Sequence, residues 1–418
     1  MKLKFGNIRN KSAFFKLSLV FIVLMLINCA LTYSPYSAFH SGRVGAYSSS
    51  TVFFFNASYI LLISLIVVFI INHRIYKNNV VYILCAIMVL TGLINGGIFR
   101  DTNSYILDFT TMLIVGTIAY DDRIQISNKG TKIECNKDIR ELYRLFIVLA
   151  VLGVLLAIAL EGKYGVITFQ FSRLSRGEVT IWQLFSVPVV VTALILINRV
   201  NGKKTRIDLP ILIIMWLIIL STANRTQVVI LAVCLIIFWA EQRMSAKKIL
   251  VFFIAMIVFF AVYPYISNFF LLGQTEINAE TISTILTGRW GLWKYYWEIF
   301  LHNMMFGYGP ISINETLRRT LGASSEIGIL KTVTSYGIVF GIIEIYIIVK
   351  SMKNAIHIIK NHEYYSIFDN IMVYLFFTNV ILVLQQHSRI LNYSDFLFFY
   401  SEFYLFPKGK IWKKREEI

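Results

Sequence analysis

The sequence predicts an all-α polytopic membrane protein, and three observations lead to that prediction. Of the 418 residues, 57% are hydrophobic and only 15% are charged, whereas a soluble domain carries about 25% charged residues. Apolar runs of roughly 17–22 residues recur from end to end, and as helices they are long enough to cross a hydrocarbon core of about 30 Å. The runs are continuous and do not alternate with polar residues, which argues against transmembrane strands. We therefore expect a single transmembrane domain over residues 1–418.

The apolar runs predict about 12 transmembrane helices. The predicted spans are 14–34, 51–72, 79–95, 105–120, 143–160, 181–198, 207–223, 228–240, 249–266, 329–349, 368–386 and 395–406. Most of the 40 Lys and Arg residues fall in the segments on the same side as the two termini. By the positive-inside rule, both termini are then cytoplasmic. The net charge of +17 is explained by topology and by contacts with anionic lipids, so nucleic acid is not expected as a partner.

One segment between the predicted spans is much longer than the others. Residues 267–328 separate the ninth span from the tenth and lie on the outer face in this topology. Polytopic proteins usually keep their loops short, and a long loop is a common place for binding or chemistry. We expect the candidate site to involve this loop.

An amphipathic helix is predicted within this loop, over residues 289–306. Thr287 is suited to cap its start, and Gly307 is suited to its end. Its apolar stripe recurs at spacings of three or four and consists of Trp290, Trp293, Trp297, Leu301 and Met304. Such a helix is expected to lie along the outer membrane surface. A second interpretation places an anion at the helix start, beside the guanidinium of Arg289.

Ionisable residues inside the apolar runs are candidates for function, because burying a charge in lipid is costly. Asp108 and Asp395 lie near the outer ends of spans, and Glu344 and Glu402 lie deeper. The mixed-charge stretch 121–142 is expected to form a surface cap on the inner side. We find no cluster of residues with metal-ligand spacing, so we expect metal-independent chemistry without a cofactor.

Four local patterns add a family resemblance to this architecture. They are SRLSRG at 172–177, STANRTQ at 221–227, Arg289 and Trp293 followed by FGYG at 306–309, and SSEIGILKTVTSYGIVFG at 324–341. Together with the large outer loop before the last three spans, they resemble the O-antigen ligase and O-antigen polymerase (Wzy-type) superfamily. The resemblance covers the architecture of the whole chain and rests on motifs that are not specific one by one.

The resemblance implies a multi-pass glycosyltransferase of the bacterial cytoplasmic (inner) membrane, with a fold of the GT-C type. Its substrate would be an oligosaccharide repeat linked to a polyprenyl (undecaprenyl) pyrophosphate. The implied reaction is polymerisation of these repeats into O-antigen, the polysaccharide of lipopolysaccharide, or into capsule, at the outer face of the membrane. A membrane protein that regulates chain length is an implied partner.

The resemblance also assigns roles to individual residues. Arg225 and Arg289 would hold the pyrophosphate, because a guanidinium stays charged and binds two phosphate oxygens. Glu326 would accept the proton of the attacking sugar hydroxyl, with Glu298 a weaker candidate. The substrate-binding candidates are Arg173, Arg176, Trp293, Arg318 and Arg319. In the alternative interpretation, such arginines contact lipid headgroups and the tryptophan only anchors the loop at the interface.

Three other functions stay open at this point. One is a ligase that transfers finished polymer to lipid A core or another acceptor. Ligases commonly carry a histidine at the position of Glu326, so the glutamate favours a polymerase. Another is a flippase or transporter of lipid-linked oligosaccharides, which would place its polar residues near the membrane midplane. The last is a non-catalytic membrane scaffold.

Overall fold

The structure, a computed structural model, describes the helical parts of the chain and the turns between some of them. The described residues are 12–32, 63–71, 79–100, 102–129, 186–200, 206, 208–221, 225–241, 289–309, 328–385 and 393–407, with a few more within 141–148. Within these residues all regular structure is helical, as the sequence predicts.

Except for the short α4 and for α9 of the long loop, the helices follow apolar runs, because a backbone among apolar side chains must satisfy its own hydrogen bonds. They are α1 (Ala13–Thr32), α2 (63–71), α3 (Asn79–Ile94), α4 (Gly97–Arg100), α5 (Thr102–Lys129), α6 (Ser186–Val200), α7 (Asp208–Ser221), α8 (Arg225–Glu241), α9 (Arg289–His302), α10 (Gly328–Lys360), α11 (Ile367–Gln385) and α12 (Tyr393–Leu405), with a 3₁₀ turn at His362–Tyr364. The predicted span 249–266 lies outside the described residues. The total of about 12 spans and their orientation stay predictions.

Helix α10 carries the clearest membrane-spanning segment. Among the described residues, Thr332–Lys360 is the one stretch of helix long and apolar enough to cross a membrane, and Val80–Ile94 and Ile367–Val380 are shorter apolar helices. One side of α10 exposes a row of apolar side chains, which are Val339, Ile342, Ile345, Tyr346 and Val349. Such a row suits contact with lipid, whereas the opposite side of α10 packs against other helices.

Side chains form hydrogen bonds with backbone groups at the start of α11 and at the end of α12. At the start of α11, Ser366 and Asp369 cap each other's backbone: the Ser366 amide donates to Asp369 Oδ2 at 3.0 Å, and the Asp369 amide donates to Ser366 Oγ at 3.1 Å. This is a reciprocal capping box with Asp in place of Glu. At the end of α12, Asn354 of α10 donates to the carbonyls of Leu405 and Phe406 at 2.8 and 3.1 Å.

The core lies where α10, α11 and α12 pack together with α5 and α3. Helix α1 joins this core through Phe14, whose ring lies 5.5 Å from that of Phe368, 6.0 Å from that of Phe396 and 4.8 Å from that of Tyr400. Aromatic pairs in these geometries stabilise by about 0.5–1.5 kcal/mol beyond their buried area. The N-terminal helix is thereby fixed to the two last helices of the chain.

The expectation of a surface cap over 121–142 is wrong at its beginning. Helix α5 continues to Lys129, and Arg123 is only 4% exposed. Its guanidinium pairs with the carboxylate of Asp369, and the phenol of Tyr404 donates to the same carboxylate oxygen at 2.8 Å. The guanidinium also lies over the Tyr404 ring, 5.1 Å from its centroid. The charges of this stretch are therefore used to join α5, α11 and α12.

Two carboxyl groups near this end of the helices are shielded from solvent, Glu241 almost fully and Asp122 in part. Burial raises the pKa of Asp122 to about 6, although a hydrogen bond from Tyr400 and the charge of Lys16 oppose the rise. Burial also raises the pKa of Glu241 to about 7, opposed by the hydrogen bond that Tyr374 donates to it at 2.9 Å. Both groups therefore bind a proton more tightly in the folded protein than in water.

Candidate active site

Both arginines expected to bind pyrophosphate are the first residues of helices. Arg225 begins α8 and Arg289 begins α9. The first turn of a helix has free backbone N–H groups and a partial positive charge. Helices α8 and α9 both pack against α10, so one long helix supports the two elements that carry these arginines.

The other candidate residues divide into two groups. Trp293 lies on α9, half-buried, beside Tyr296 and Leu330 in the interface between α9 and α10. Its place in this packing gives it a structural role, and its binding of substrate stays a prediction. The remaining candidates lie outside the described residues, and their roles also stay predictions; they are Arg173, Arg176, Arg318, Arg319 and Glu326.

The buried face of α9 differs from the predicted apolar stripe. Tyr296 is fully buried and Phe300 is nearly so, whereas Trp297 is 52% exposed and Leu301 is 49% exposed. The helix is apolar on two adjacent faces, and Trp297, Leu301 and Met304 of the predicted stripe are on the one that stays exposed. The stripe through Tyr296 faces α10, and the stripe through Trp297 is left free to meet lipid at the interface.

The two glycine motifs of the sequence interlock with each other. After α9 the chain turns through residues 303–306 into Gly307 and Gly309, which have φ values of 68° and 92°. Helix α10 is broken at Gly337, where φ is 84° and ψ is 175°. The first motif, FGYG, lies in this break of the second motif, YGIVFG.

Backbone hydrogen bonds hold the interlock. In an unbroken helix the Ile338 amide would bond to the Thr334 carbonyl. Here Ile338 donates to the Met304 carbonyl at 2.8 Å, and the Thr334 carbonyl accepts from Tyr308 at 2.7 Å. Gly309 donates to Ser335 at 3.0 Å. The turn after α9 therefore replaces helical bonds that α10 gives up at the break.

Close approach of the two backbones explains the glycines at the centre of the interlock. A Cβ on Gly307 would lie 2.5 Å from the carbonyl carbon of Ser335 and 2.7 Å from the amide nitrogen of Gly337. A Cβ on Gly337 would overlap the carbonyl of Met305. These neighbours are backbone atoms and cannot rotate away, so both positions require glycine for space as well as for their positive φ.

A polar cluster lies beside the interlock, between α5 and α10. The phenol of Tyr336, directly before the break, donates to Asp108 Oδ2 at 2.5 Å. The Tyr105 ring meets the Tyr336 ring edge to face at 5.7 Å. Asp108 is 8% exposed and lines a small cavity with Thr111, Met112 and Phe399. The carboxylate is therefore shielded by protein, which is the expected state of an ionisable group within an apolar helix.

Sequence reasoning found only part of this cluster. Asp108 stood out as a charge within an apolar run, and Glu344 and Glu402 did so too; all three are buried between helices. Tyr336 is part of the motif at 324–341, but nothing in the sequence indicated a partner for its hydroxyl. Only the fold shows that its hydroxyl reaches a carboxylate 228 positions away.

The described residues offer no cluster of metal ligands. In the described ranges, no three His, Cys, Asp or Glu side chains lie close enough to hold a metal ion. The candidate base Glu326 and the outer loop before α9 are not among these residues, so metal-independent chemistry stays a prediction.

Comparison with known proteins places part of the chain in a family. Residues 210–332 match the family model described as O-antigen ligase, and this match supports a relation of the segment to the O-antigen ligase and polymerase superfamily. The matched segment runs from α7 into α10 and contains Arg225, Arg289 and Glu326. Neither the curated proteins nor the solved structures give a match.

The family match and the apolar helices agree on the general type of protein. They support a membrane protein with an O-antigen ligase- or polymerase-type function that acts on a lipid-linked saccharide. Members of the family are glycosyltransferase-like enzymes.

Proposed function

We propose, from the assignment of residues 210–332 to the O-antigen ligase and polymerase superfamily, that this protein polymerises saccharide repeats carried on polyprenyl pyrophosphate. The reaction takes place at the outer face of the bacterial cytoplasmic membrane. The product is O-antigen or capsular polysaccharide, and a separate membrane protein regulates its length.

The observation that carries the proposal is the position of the two arginines. Arg225 and Arg289 each begin a helix, both lie in the family segment, and both helices pack on α10. A helix start and a guanidinium favour the same ligand, an anion with several oxygens. A pyrophosphate leaving group has that chemistry.

In the proposed reaction, a hydroxyl of the acceptor sugar attacks the anomeric carbon of the donor chain. The bond from this carbon to the pyrophosphate oxygen breaks, and the pyrophosphate leaves with the electron pair. Arg225 and Arg289 stabilise the charge that develops on it. Glu326 takes the proton of the attacking hydroxyl, and Arg173, Arg176, Arg318, Arg319 and Trp293 contact the rest of the substrate.

A ligase is the second candidate, because the matching family model is itself described as O-antigen ligase. The two functions share the leaving group and differ in the acceptor. Glu326 at the position of the ligase histidine favours the polymerase. The transporter alternative is less favoured, because the arginine-bearing helix starts lie at loop boundaries of the predicted topology rather than at mid-helix.

Replacing each arginine separately by alanine and by lysine tests the proposal in the source bacterium. Loss of one fixed charge at a leaving group costs about 10²- to 10³-fold in rate, so the long glycan ladder on gels should collapse. A polymerase defect leaves single repeats on the acceptor, whereas a ligase defect leaves the acceptor bare while polymer accumulates on the lipid carrier. A normal ladder in both alanine variants, with normal protein levels, would refute the pyrophosphate-binding role.

For Glu326, normal polymerisation by the Glu326→Gln variant would refute its role as base.

A further inference from the structure

We infer that Asn95 is a positioning residue: it ties the turn after α9 to the end of α3 and thereby sets where the start of α9 lies. Asn95 follows α3 directly and lies outside the segment 210–332 that matches the family. The inference rests on the proposed function, because Arg289 is the residue whose position it would control.

The side chain of Asn95 makes contacts in two directions. Its amide nitrogen donates to the carbonyls of Phe306 and Gly307 at 3.1 and 3.4 Å. Its amide oxygen accepts from the backbone N–H of Gly97 at 2.8 Å. A flipped amide would place its oxygen against two carbonyls and its NH₂ against an N–H group, so these bonds fix its orientation.

The contacts reach the same turn that docks into the break of α10. The Gly307 carbonyl accepts from Asn95, while its amide nitrogen donates to the Asn303 carbonyl at 2.8 Å at the end of α9. Gly309 passes close to Gly97, and a Cβ on Gly309 would lie 3.4 Å from its Cα. Asn95 is therefore a direct side-chain link from the α3–α4 corner to the end of α9.

A small rotation of α9 about the end that Asn95 contacts produces a larger displacement at its other end. Helix α9 has 14 residues and is about 21 Å long at 1.5 Å per residue. A rotation of about 5° about its anchored end moves its first residue, Arg289, by about 2 Å. A misplacement of 1 Å can reduce a rate about 10²-fold. Asn95 does not touch the reacting groups in this proposal and acts only through the position of α9.

Asn95→Asp is the sharpest test, because it keeps the size and the acceptor oxygen and replaces the donor with a negatively charged acceptor. A carboxylate would face the carbonyls of Phe306 and Gly307 and repel them. Asn361→Asp is the matched control: the Asn361 amide donates to the His357 carbonyl at 3.0 Å at the far end of α10. If Asn95→Asp lowers the amount of protein in the membrane, Asn95→Ala removes the donor without adding charge.

Two measurements are made on each variant of the full-length protein. Turnover is measured with lipid-linked saccharide extracted from the source bacterium lacking this protein, at limiting and saturating concentrations. The position of α9 is measured as a spin-label distance between Cys substituted for the exposed Lys294 of α9 and for the exposed Lys353 of α10, after the four native cysteines are replaced.

We expect Asn95→Asp to lower kcat at least about tenfold, to leave KM within about threefold and to shift the distance, while Asn361→Asp resembles the wild type. An unchanged distance, or a shifted distance with unchanged kcat, would overturn the inference. The proposed function has its own test: full activity of Arg289→Ala refutes it even if Asn95→Asp still moves α9.

Discussion

Alanine at Gly337 should destabilise the protein far more than alanine at another glycine with positive φ. At Gly337 the backbone has φ 84° and ψ 175°, a region that costs a non-glycine residue about 1–3 kcal/mol. The new Cβ would also overlap the Met305 carbonyl, so the turn after α9 must leave the break. Its three hydrogen bonds to α10 contribute about 1 kcal/mol each, which brings the expected loss to about 4–6 kcal/mol.

Gly96→Ala is the matched control for this prediction. Gly96 has φ 67°, and nothing lies within 4 Å of the position its Cβ would take. Only the backbone conformation is penalised there, at about 1 kcal/mol. The difference between the two variants therefore reports the close approach of the backbones at the interlock.

Thermal unfolding in detergent can be followed through the buried thiols of Cys85 and Cys234, which react with a thiol-specific fluorophore once the helices separate. Cys29 and Cys135 are replaced by serine to keep the signal clean. We expect the fall in Tm for Gly337→Ala to be at least about three times that for Gly96→Ala, in line with the estimated energies. Equal falls for the two variants would refute the close packing of the turn in α10.

Three further predictions concern the packing and the buried charges. Tyr296→Ala should cost about 3–5 kcal/mol as a large core truncation, whereas Trp297→Ala should cost much less, and equal losses in Tm would contradict the observed face of α9. Arg123→Met should cost about 3–5 kcal/mol of stability, because it leaves the buried Asp369 carboxylate without its cation. The Arg123→Met/Asp369→Asn double variant should recover part of this loss, and additive losses would argue against the ion pair. The raised pKa of Glu241 means that its folded form holds a proton more tightly, so its contribution to stability is greatest below the unfolded pKa and falls as pH rises to about 7. The Glu241→Gln variant should therefore lose less Tm than the wild type between pH 5 and 7.5, and parallel curves would contradict the shift.

The interlock explains why two short glycine motifs far apart in the sequence occur together. FGYG at 306–309 supplies the amides of Tyr308 and Gly309, and YGIVFG at 336–341 supplies the amide of Ile338, which donates back to the Met304 carbonyl. Each motif alone is an unremarkable glycine pattern of the kind found at turns and helix ends. The hydrogen bonds that join the two motifs are evident only in the tertiary structure.

The sequence by itself determined that the regular structure of the described residues is helical and where several of these helices lie. In a continuous apolar run the backbone N–H and C=O groups can form hydrogen bonds only with each other, which favours a helix. The predicted spans 79–95 and 368–386 accordingly coincide with α3 and α11 to within one residue. The sequence also predicted a glycine turn at Gly307, because glycine tolerates positive φ, but α9 itself ends earlier, at His302, and residues 303–306 form a turn. These are local properties, and each can be inferred from a short window.

Tertiary structure alone decided which faces pack and which charges are paired. Helix α9 has two apolar stripes, and the stripe through Tyr296 is the one that packs against α10. Arg123 looked like a surface residue until α11 and α12 brought Asp369 and Tyr404 to it. Asn95 gave no signal of its link to α9, because the carbonyls to which it donates lie more than 200 positions away. Periodicity records how apolar a face is, whereas the neighbour that covers it depends on contacts between distant parts of the chain, which no local pattern contains.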